Sequence, residues 1–329
     1  MTSLSLRTLS AALLGGSIAV SAPAIAQDLT PVTYLLPAPQ FLVAFAPMNL
    51  AESRGYFEDE GVDIEFITVR GGAEVATQVG AGNALVGGGI GDTSIIVRPN
   101  GVPVKSVAVL GGGALTTVVA RADRDISSLA DLEGRTISVQ SFQDTTFYSL
   151  LGNMGTEGLS QSDADIQAHG PAGVWQLFVE GEVDAMSAVP DWIYLADAQG
   201  VDLVTLSSTD IFPSMAQAII ASDDGIANQP DAVCGVVRAI SRAVEDIMND
   251  PESAATDFIA FMEENEFPVQ PDSVLPIMQS YAETVYSGQD TLGMADADRI
   301  GTVQDFYLDA GIIRQTTPVE DLYTNECIQ

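Results

Sequence analysis

The chain has 329 residues and is strongly acidic, with 45 aspartate and glutamate residues against 12 lysine and arginine residues and a net charge of -33. A surface this negative repels phosphate backbones and anionic lipids, which excludes nucleic acid and a membrane surface as partners. The negative charge itself is explained by solubility in a salty habitat, where ions screen the repulsion between the acidic side chains. Hydrophobic residues at 47% and charged residues at only 17% exclude a disordered chain.

The first 26 residues have the three parts of a cleavable secretory signal peptide. Arg7 precedes an apolar run over residues 9–20, and Ala24 and Ala26 suit cleavage before Gln27. The alternative is an N-terminal anchor helix, but the apolar run is shorter than the ~20 residues that a span requires. No cysteine lies near the cleavage site, so we expect a periplasmic protein without a lipid anchor.

From Pro31 onwards strands alternate with helices, a pattern typical of a parallel sheet covered by helices. We predict strands at 32–36, 62–69, 84–86 and 104–110, with helices at 41–54, at 73–79 and from about 92. Glycine clusters at 71–72, 87–89 and 111–113 are interpreted as loops between them.

The alternation starts again after a β-rich stretch at 115–121. Strands are predicted at 136–139, 183–188, 201–206 and 215–221 and helices at 145–154, 174–179 and 192–198, and the chain is mostly helical from 231. Residues 77–87 and 177–187 share a helix–glycine–strand pattern, which indicates two similar α/β lobes; one larger α/β domain is the alternative. We therefore expect a first lobe at 27–117 and 222–329, a second lobe at 123–216, and two crossover hinge strands at 118–122 and 217–221.

The chain has two cysteines, Cys234 and Cys327, and one histidine, His169. Two cysteines in an exported chain most often form a disulfide, which would tie the C-terminal end to a preceding helix; two free thiols are the alternative. Neither a zinc site nor an iron-sulfur site is credible with this set, so we predict no metal and no cofactor.

Three motifs, in order, resemble the solute-binding proteins of ABC transporters of the nitrate/sulfonate/taurine (NitT/TauT) group. Residues 52–65 (ESRGYFEDEGVDIE), 128–139 (SLADLEGRTISV) and 181–185 (GEVDA) match that group's signatures, whereas Leu85 stands where the first-lobe counterpart of the last motif usually has aspartate. The group also contains binding proteins for thiamine-pyrimidine precursors. The resemblance implies a type II periplasmic-binding-protein fold with two lobes, each a mostly parallel sheet flanked by helices.

Ligands of open α/β sheets bind beyond the carboxyl ends of the strands, where helices begin. The candidate ligand-binding residues at these positions are Gln40, Phe41, Gly72, Asp92, Thr93, Phe142, Asp144, Thr145, Asp191 and Trp192. Glycines and helix starts favour an anionic group, whereas the three aspartates favour an amine or N–H donors unless they only cap helices. The aromatic side chains would stack on a flat body or belong to the core. This combination of glycines, aspartates and aromatic side chains favours, as the ligand, a sulfonate- or taurine-like zwitterion or a nitrogen heterocycle such as a thiamine pyrimidine precursor.

Catalytic motifs are not recognisable in the sequence. The cytosolic pyrimidine synthase of thiamine biosynthesis has a related fold, but it depends on a cysteine-rich motif and on active-site histidines that this sequence lacks. We expect a monomeric, non-enzymatic protein that closes its lobes on a small-molecule solute and docks on an ABC permease with a cytoplasmic ATPase. An enzyme of the related fold and a ligand-sensing partner of a membrane receptor are the alternatives.

Overall fold

The computed structural model describes residues 29–328, and the predicted signal peptide at 1–26 lies outside them. In this part of the chain, none of the helices has both the length and the apolar character needed to cross a membrane. Ten strands form two five-stranded sheets. The strands are β1 Thr30–Leu36, β2 Val62–Thr68, β3 Val86–Ile90, β4 Val104–Val109, β5 Thr117–Arg121, β6 Thr136–Val139, β7 Asp165–Ala168, β8 Ala185–Ala188, β9 Leu203–Thr205 and β10 Gln217–Ser222.

The two sheets have the same topology. The first has the order β2-β1-β3-β10-β4 and the second has the order β7-β6-β8-β5-β9. In each sheet one strand runs antiparallel to its neighbours, β10 in the first and β5 in the second. This arrangement of two mostly parallel sheets confirms the predicted two-lobe α/β fold. We use first lobe and second lobe for each sheet with the helices packed on it.

The two strands predicted as crossovers lie inside the sheets. Strand β5 pairs with β8 and β9 of the second lobe, and β10 pairs with β3 and β4 of the first. The chain passes between the sheets in the segments 110–116 and 206–216 instead. The β-branched, apolar residues that indicated crossover strands are those of a strand buried within a sheet.

Within residues 29–328, twelve α-helices cover the sheets. They are α1 Ala46–Ser53, α2 Tyr56–Asp59, α3 Gly72–Gly80, α4 Thr93–Val97, α5 Thr145–Gly155, α6 Gly170–Glu180, α7 Pro190–Ala198, α8 Asp223–Asn228, α9 Pro230–Asn249, α10 Pro251–Glu264, α11 Pro271–Tyr281 and α12 Ala297–Asp309. A 3-10 turn at Val43–Phe45 precedes α1, and a π-helical turn at Ala282–Tyr286 extends α11.

The longest helix, α9, illustrates how sequence pattern determines packing. Proline at position 230 suits the first turn of a helix, where its missing N–H leaves no bond unmade. Val233, Val237, Ile240 and Val244 then recur at spacings of three and four and are all buried against the first lobe. Cys234 on this helix is disulfide-bonded to Cys327, with Cα atoms 4.8 Å apart, and the bond ties the C-terminal end to the first lobe.

The glycine run at 87–89 lies inside β3, where the sequence predicted a loop after a strand at 84–86. A Cβ atom on Gly87 would lie 2.3 Å from Val75 of α3, and one on Gly89 would lie 2.6 Å from Thr93. Only glycine therefore allows these helices to pack so closely on the strand. Strand β7 was missed because it is a polar edge strand with no buried residue.

Candidate functional site

A cavity of about 50 Å³ lies between the two lobes. Its walls come from the end of β1, the start of α1, β3 and β10 in the first lobe and from the starts of α5 and α7 in the second. The lining residues of the first lobe are Pro37, Ala38, Leu42, Ala44, Phe45, Met48, Gly88, Gly89, Gln217 and Ala218. Those on the second-lobe side are Leu115, Gln140, Asp144, Thr145, Thr146, Val189 and Trp192.

Asp144 supplies the only carboxylate among these lining residues. It caps α5 by accepting a hydrogen bond from the Thr146 N–H at 2.9 Å, and it also accepts one from the Gln140 amide at 3.3 Å. Burial raises the pKa of the Asp144 carboxyl above its usual range, and hydrogen bonds from the backbone N–H groups of Thr146 and Gly72 partly offset that rise. The carboxylate is therefore held in place and is costly to keep charged without a further donor.

Two polar atoms in the cavity wall have no partner within the described residues. The indole N–H of Trp192 and the hydroxyl of Thr146 are both buried, with Trp192 only 2% exposed. An unpartnered buried donor costs about 1–3 kcal/mol, so such groups are normally satisfied by water or by a bound molecule. The indole is a donor only, so an acceptor atom of a bound molecule or of a water would satisfy it.

Aliphatic and aromatic side chains cover most of the remaining wall. Phe45, Met48 and Leu115 line the cavity together with the indole of Trp192. No lysine or arginine occurs among the lining residues of this cavity, so no side chain of the wall carries a positive charge that would neutralise an anion. An uncharged, flat molecule with hydrogen-bonding atoms at its edge suits these walls, and a positive charge would suit Asp144.

The lobes contact each other directly around the cavity. The Gln140 amide of the second lobe donates to the Pro37 carbonyl at 3.0 Å, and the Ala73 N–H of the first lobe donates to the Gln143 carbonyl at 3.0 Å. Gly71 has a φ of 100°, and a Cβ atom there would lie 2.7 Å from the Asp144 Cα. Glycine at 71 is thus required both by its own backbone and by the approach of the second lobe.

Asp191 joins the lobes on another side of the cavity. Its carboxylate accepts a hydrogen bond from the Tyr281 hydroxyl at 2.7 Å and one from the Ala44 N–H at 3.3 Å, and both donors belong to the first lobe. Burial raises the pKa of the Asp191 carboxyl, and the hydrogen bond from Tyr281 opposes that rise. The same contact, with burial, raises the pKa of Tyr281.

The segments that connect the lobes are anchored by Arg299 of α12. Its guanidinium donates to carbonyls of both segments, to Gly112 at 2.5 Å, to Gly113 at 3.1 Å and to Pro213 at 2.9 Å, and also to Ser214. Such a fork can serve several carbonyls at once because arginine carries five N–H donors in one plane.

Asp92 lies beside this anchor and is fully buried. It accepts hydrogen bonds from the Ser214 hydroxyl at 2.9 Å, the Met215 N–H at 2.8 Å and the Tyr307 hydroxyl at 2.8 Å. Asp92 therefore belongs to the connecting segments and does not line the interlobe cavity, contrary to the position expected from the sequence.

Of the ten predicted ligand-binding residues, Asp144, Thr145 and Trp192 line the interlobe cavity. Two more lie at lobe contacts: Asp191 holds Tyr281, and a Cβ atom on Gly72 would lie 2.9 Å from the Thr145 side chain. The other five do not line the cavity.

These five residues have other surroundings. The Gln40 amide donates to the Asn49 side chain at 2.9 Å, and the Thr93 hydroxyl accepts from the Ile90 N–H at 3.1 Å. Phe41 lines a separate groove beside α11, and Phe142 is 46% exposed and packs edge-on against Phe147. Asp92 is held at the connecting segments, as described above.

Several wall residues were missed by the sequence analysis. Gln140 directly follows β6, a position that the rule on strand ends would have selected. Gln217 begins β10 and is followed by four apolar residues. Its side chain donates to the Ala44 carbonyl at 2.6 Å and accepts from the Tyr286 hydroxyl at 2.9 Å. Phe45 carried no such signal, because its position resembles that of a core residue.

Features of catalysis are sparse around the cavity. The His169 ring, before α6, has a hydrogen-bonding contact of 3.1 Å with the Ser138 hydroxyl and does not line the cavity. Within residues 29–328 no group of three or more His, Cys, Asp or Glu side chains could hold a metal ion. The wall of the cavity is built from residues of both lobes.

Comparison with known proteins agrees with this geometry. The family model described as NMT1/THI5 like matches residues 43–254. A curated riboflavin-binding protein, RibY from Chloroflexus aurantiacus, is 25% identical over 296 residues, which are 87% of this chain and 83% of that protein. The 4-amino-5-hydroxymethyl-2-methylpyrimidine phosphate synthase of Schizosaccharomyces pombe is 24% identical over 232 residues, 66% of each chain.

Among solved structures, the alkanesulfonate-binding protein SsuA of Xanthomonas axonopodis pv. citri, bound to MOPS, superimposes with a TM-score of 0.70. The alignment covers 90% of this chain and 98% of that one at 16% identity. At this identity the likeness shows the fold, which is that of the periplasmic binding proteins.

Proposed function

Because the chain belongs to the NMT1/THI5-like family, we propose that it is the extracytoplasmic solute-binding component of an ABC importer. The observation that carries the proposal is a cavity lined by both lobes, so that a bound solute contacts both and favours their closure. The partners are an ABC permease and its cytoplasmic ATPase. Location outside the cytoplasm rests on the signal-like N-terminus, which lies outside the described residues, and a monomer is the state we expect in solution.

For the solute, we propose a nitrogen heterocycle that is uncharged or carries a positive charge. Trp192 offers a flat apolar face and an unpartnered N–H donor, and Asp144 offers acceptor oxygens to an amine or ring N–H. A sulfonate- or taurine-like zwitterion, the other class expected from the sequence, would bring its anionic head into walls without lysine or arginine. The names of the relatives favour heterocycles too, since one binds riboflavin and another makes a pyrimidine phosphate.

Isothermal titration of the purified protein tests the proposal with four probes: riboflavin, 4-amino-5-hydroxymethyl-2-methylpyrimidine, taurine and nitrate. We expect saturable binding of at least one heterocycle, a raised melting temperature in its presence, and no binding of nitrate. Binding of taurine or nitrate with neither heterocycle bound would contradict the proposed solute and leave the importer role in place.

The second candidate function is pyrimidine synthesis, which the names of the curated relatives favour. Both cysteines of this chain form a disulfide in the first lobe, and His169 lies outside the cavity wall, so neither type of residue is available there. Incubating the protein with each cavity ligand and analysing the mixture by mass spectrometry separates the two functions. We expect the ligand to be recovered unchanged, and any product would favour the enzyme.

A further inference from the structure

A second, larger cavity of about 320 Å³ adjoins the interlobe cavity on the side of the connecting segments. Leu115 lines both cavities, and the start of α7 runs between them, with Val189 lining the first and Pro190 the second. By itself the interlobe cavity is well below the ~300–1,000 Å³ of typical small-molecule sites, whereas the two cavities together enter that range.

The wall of the second cavity differs in chemistry from that of the first. Most of its lining residues are serine or threonine, contributed by both connecting segments, by the ends of β5 and β9, by the end of α11 and by the π-helical turn that extends it. No charged side chain and no tryptophan occurs among its lining residues. A wall of hydroxyl groups can donate to and accept from a neutral polar chain, but it cannot neutralise a charged one.

One atom of this wall indicates the type of group that it lacks. The Asn153 side chain is 2% exposed and its Nδ2 donates to the Ser149 carbonyl at 2.9 Å, but its Oδ1 is buried with no partner within the described residues. That oxygen needs a donor. The Thr284 hydroxyl already donates to the Ser280 carbonyl at 2.6 Å, and the Thr116 hydroxyl donates to Ser149 at 2.6 Å, so both retain acceptor lone pairs. A group that both donates and accepts suits this set, and an alcohol is the simplest such group.

We propose that the second cavity is a subsite for an uncharged, hydroxylated chain carried by the heterocycle that the interlobe cavity holds. This inference rests on the proposed function and narrows its solute to a flat nitrogen heterocycle with a polyol substituent. The connecting segments line the subsite, so a chain bound there contacts both lobes and both connections. Recognition of the chain is thereby coupled to closure.

The test compares riboflavin with lumiflavin, which has the same ring system and a methyl group in place of the hydroxylated chain. Titrations are made on the wild-type protein, on Thr284→Val and Asn153→Leu, and on Thr302→Val as a matched control. Thr302 lies in α12, lines neither cavity, and donates to the carbonyl four residues before it as Thr284 does. The control therefore reports the cost of removing such a hydroxyl from a helix.

We expect riboflavin to bind at least ~10-fold more tightly than lumiflavin, since each additional hydrogen bond contributes about 1 kcal/mol. Thr284→Val should reduce this ratio of affinities several-fold without changing the affinity for lumiflavin. The control Thr302→Val should bind both flavins as the wild-type protein does. If Asn153→Leu fails to fold, Thr284→Val alone decides. Equal affinity for the two flavins overturns the subsite while the proposed function stands, and so does binding of the pyrimidine with neither flavin bound. Failure of all three heterocycles overturns the subsite and the proposed solute class together.

Discussion

The carboxylate of Asp191 in the second lobe accepts a hydrogen bond of 2.7 Å from the hydroxyl of Tyr281 in the first. The two residues are separated by 90 positions in sequence and belong to different helices, α7 and α11. Both side chains are buried, so the contact exists only while the lobes are together. In the closure proposed for this protein the Asp191–Tyr281 pair forms as the lobes meet, and its energy would contribute to the affinity for any solute that closure encloses.

Replacing Tyr281 with phenylalanine should weaken binding of every solute by a similar factor. A hydrogen bond to a charged group contributes about 1.5–3 kcal/mol when buried. In the open form water takes the place of the Tyr281 hydroxyl, so only the closed form loses this bond and we expect roughly a 10-fold loss of affinity. Titration calorimetry measures the loss, and small-angle scattering measures closure. Tyr323→Phe, at a half-buried tyrosine that lines neither cavity, is the control. A loss confined to one class of solute would instead make the pair a direct ligand contact.

Trp192→Phe should lower affinity and leave the fold intact. Phenylalanine keeps an aromatic face but removes the buried N–H donor with which we propose the ligand pairs, so a loss of about 5- to 30-fold is expected. Ligand-induced quenching of tryptophan fluorescence should disappear in the same variant. Trp175→Phe, at the half-buried tryptophan of α6, is the matched control and should retain both affinity and quenching. Retained quenching in Trp192→Phe would place the ligand elsewhere.

Solute binding should be accompanied by proton uptake. Burial raises the pKa of Asp144 and of Asp191, so the closed form, in which both are buried, binds protons more tightly than the open form. Affinity for an uncharged solute should then fall as pH rises through the window between the ordinary and the raised pKa, and stay constant above it. Conversely, affinity should rise as the pH is lowered through that window.

Calorimetry in buffers of different ionisation enthalpy measures the number of protons taken up. Asp144→Asn should reduce that number, because an amide does not titrate. Proton release on binding, or the same uptake in Asp144→Asn and wild type, would contradict this assignment.

Arg299→Lys should destabilise the protein and disturb the connection between the lobes. A lysine ammonium has three donors on one atom and cannot serve carbonyls of both connecting segments as the guanidinium does. The loss of several buried bonds near Asp92 should lower the free energy of unfolding by about 3 kcal/mol. Denaturant titration gives this value, with Arg314→Lys at an exposed arginine as the control. Equal stability of the two variants would mean that the anchor contributes nothing.

Strands with a regular β pattern were predictable from the sequence alone. The strand predicted at 136–139 is found as Thr136–Val139, and that predicted at 62–69 is found as Val62–Thr68, because both combine β-branched residues with alternation. Strand β3 was predicted a few residues too early because its three glycines show no alternation of apolar and polar residues. Glycine occurs there because α3 and Thr93 approach the strand closely. Local sequence does not contain that information.

The residues of the candidate site were also harder to predict from local sequence than the strands were. One rule, that acidic and aromatic residues at helix starts after strands face a cleft, selected Asp92, Asp144 and Asp191 alike. The structure separates them through partners far away in sequence, since Tyr307 holds Asp92 and Tyr281 holds Asp191, while Asp144 remains in the cavity wall. A sequence gives no means of identifying such partners before the fold is known.

Isothermal titration of the purified protein with riboflavin and 4-amino-5-hydroxymethyl-2-methylpyrimidine, against taurine and nitrate, distinguishes a heterocycle from an anion as the solute. The prediction is saturable binding of a heterocycle that weakens in Trp192→Phe and is unaffected in Trp175→Phe. Binding of nitrate or taurine with undiminished affinity in Trp192→Phe, and of no heterocycle, would contradict it.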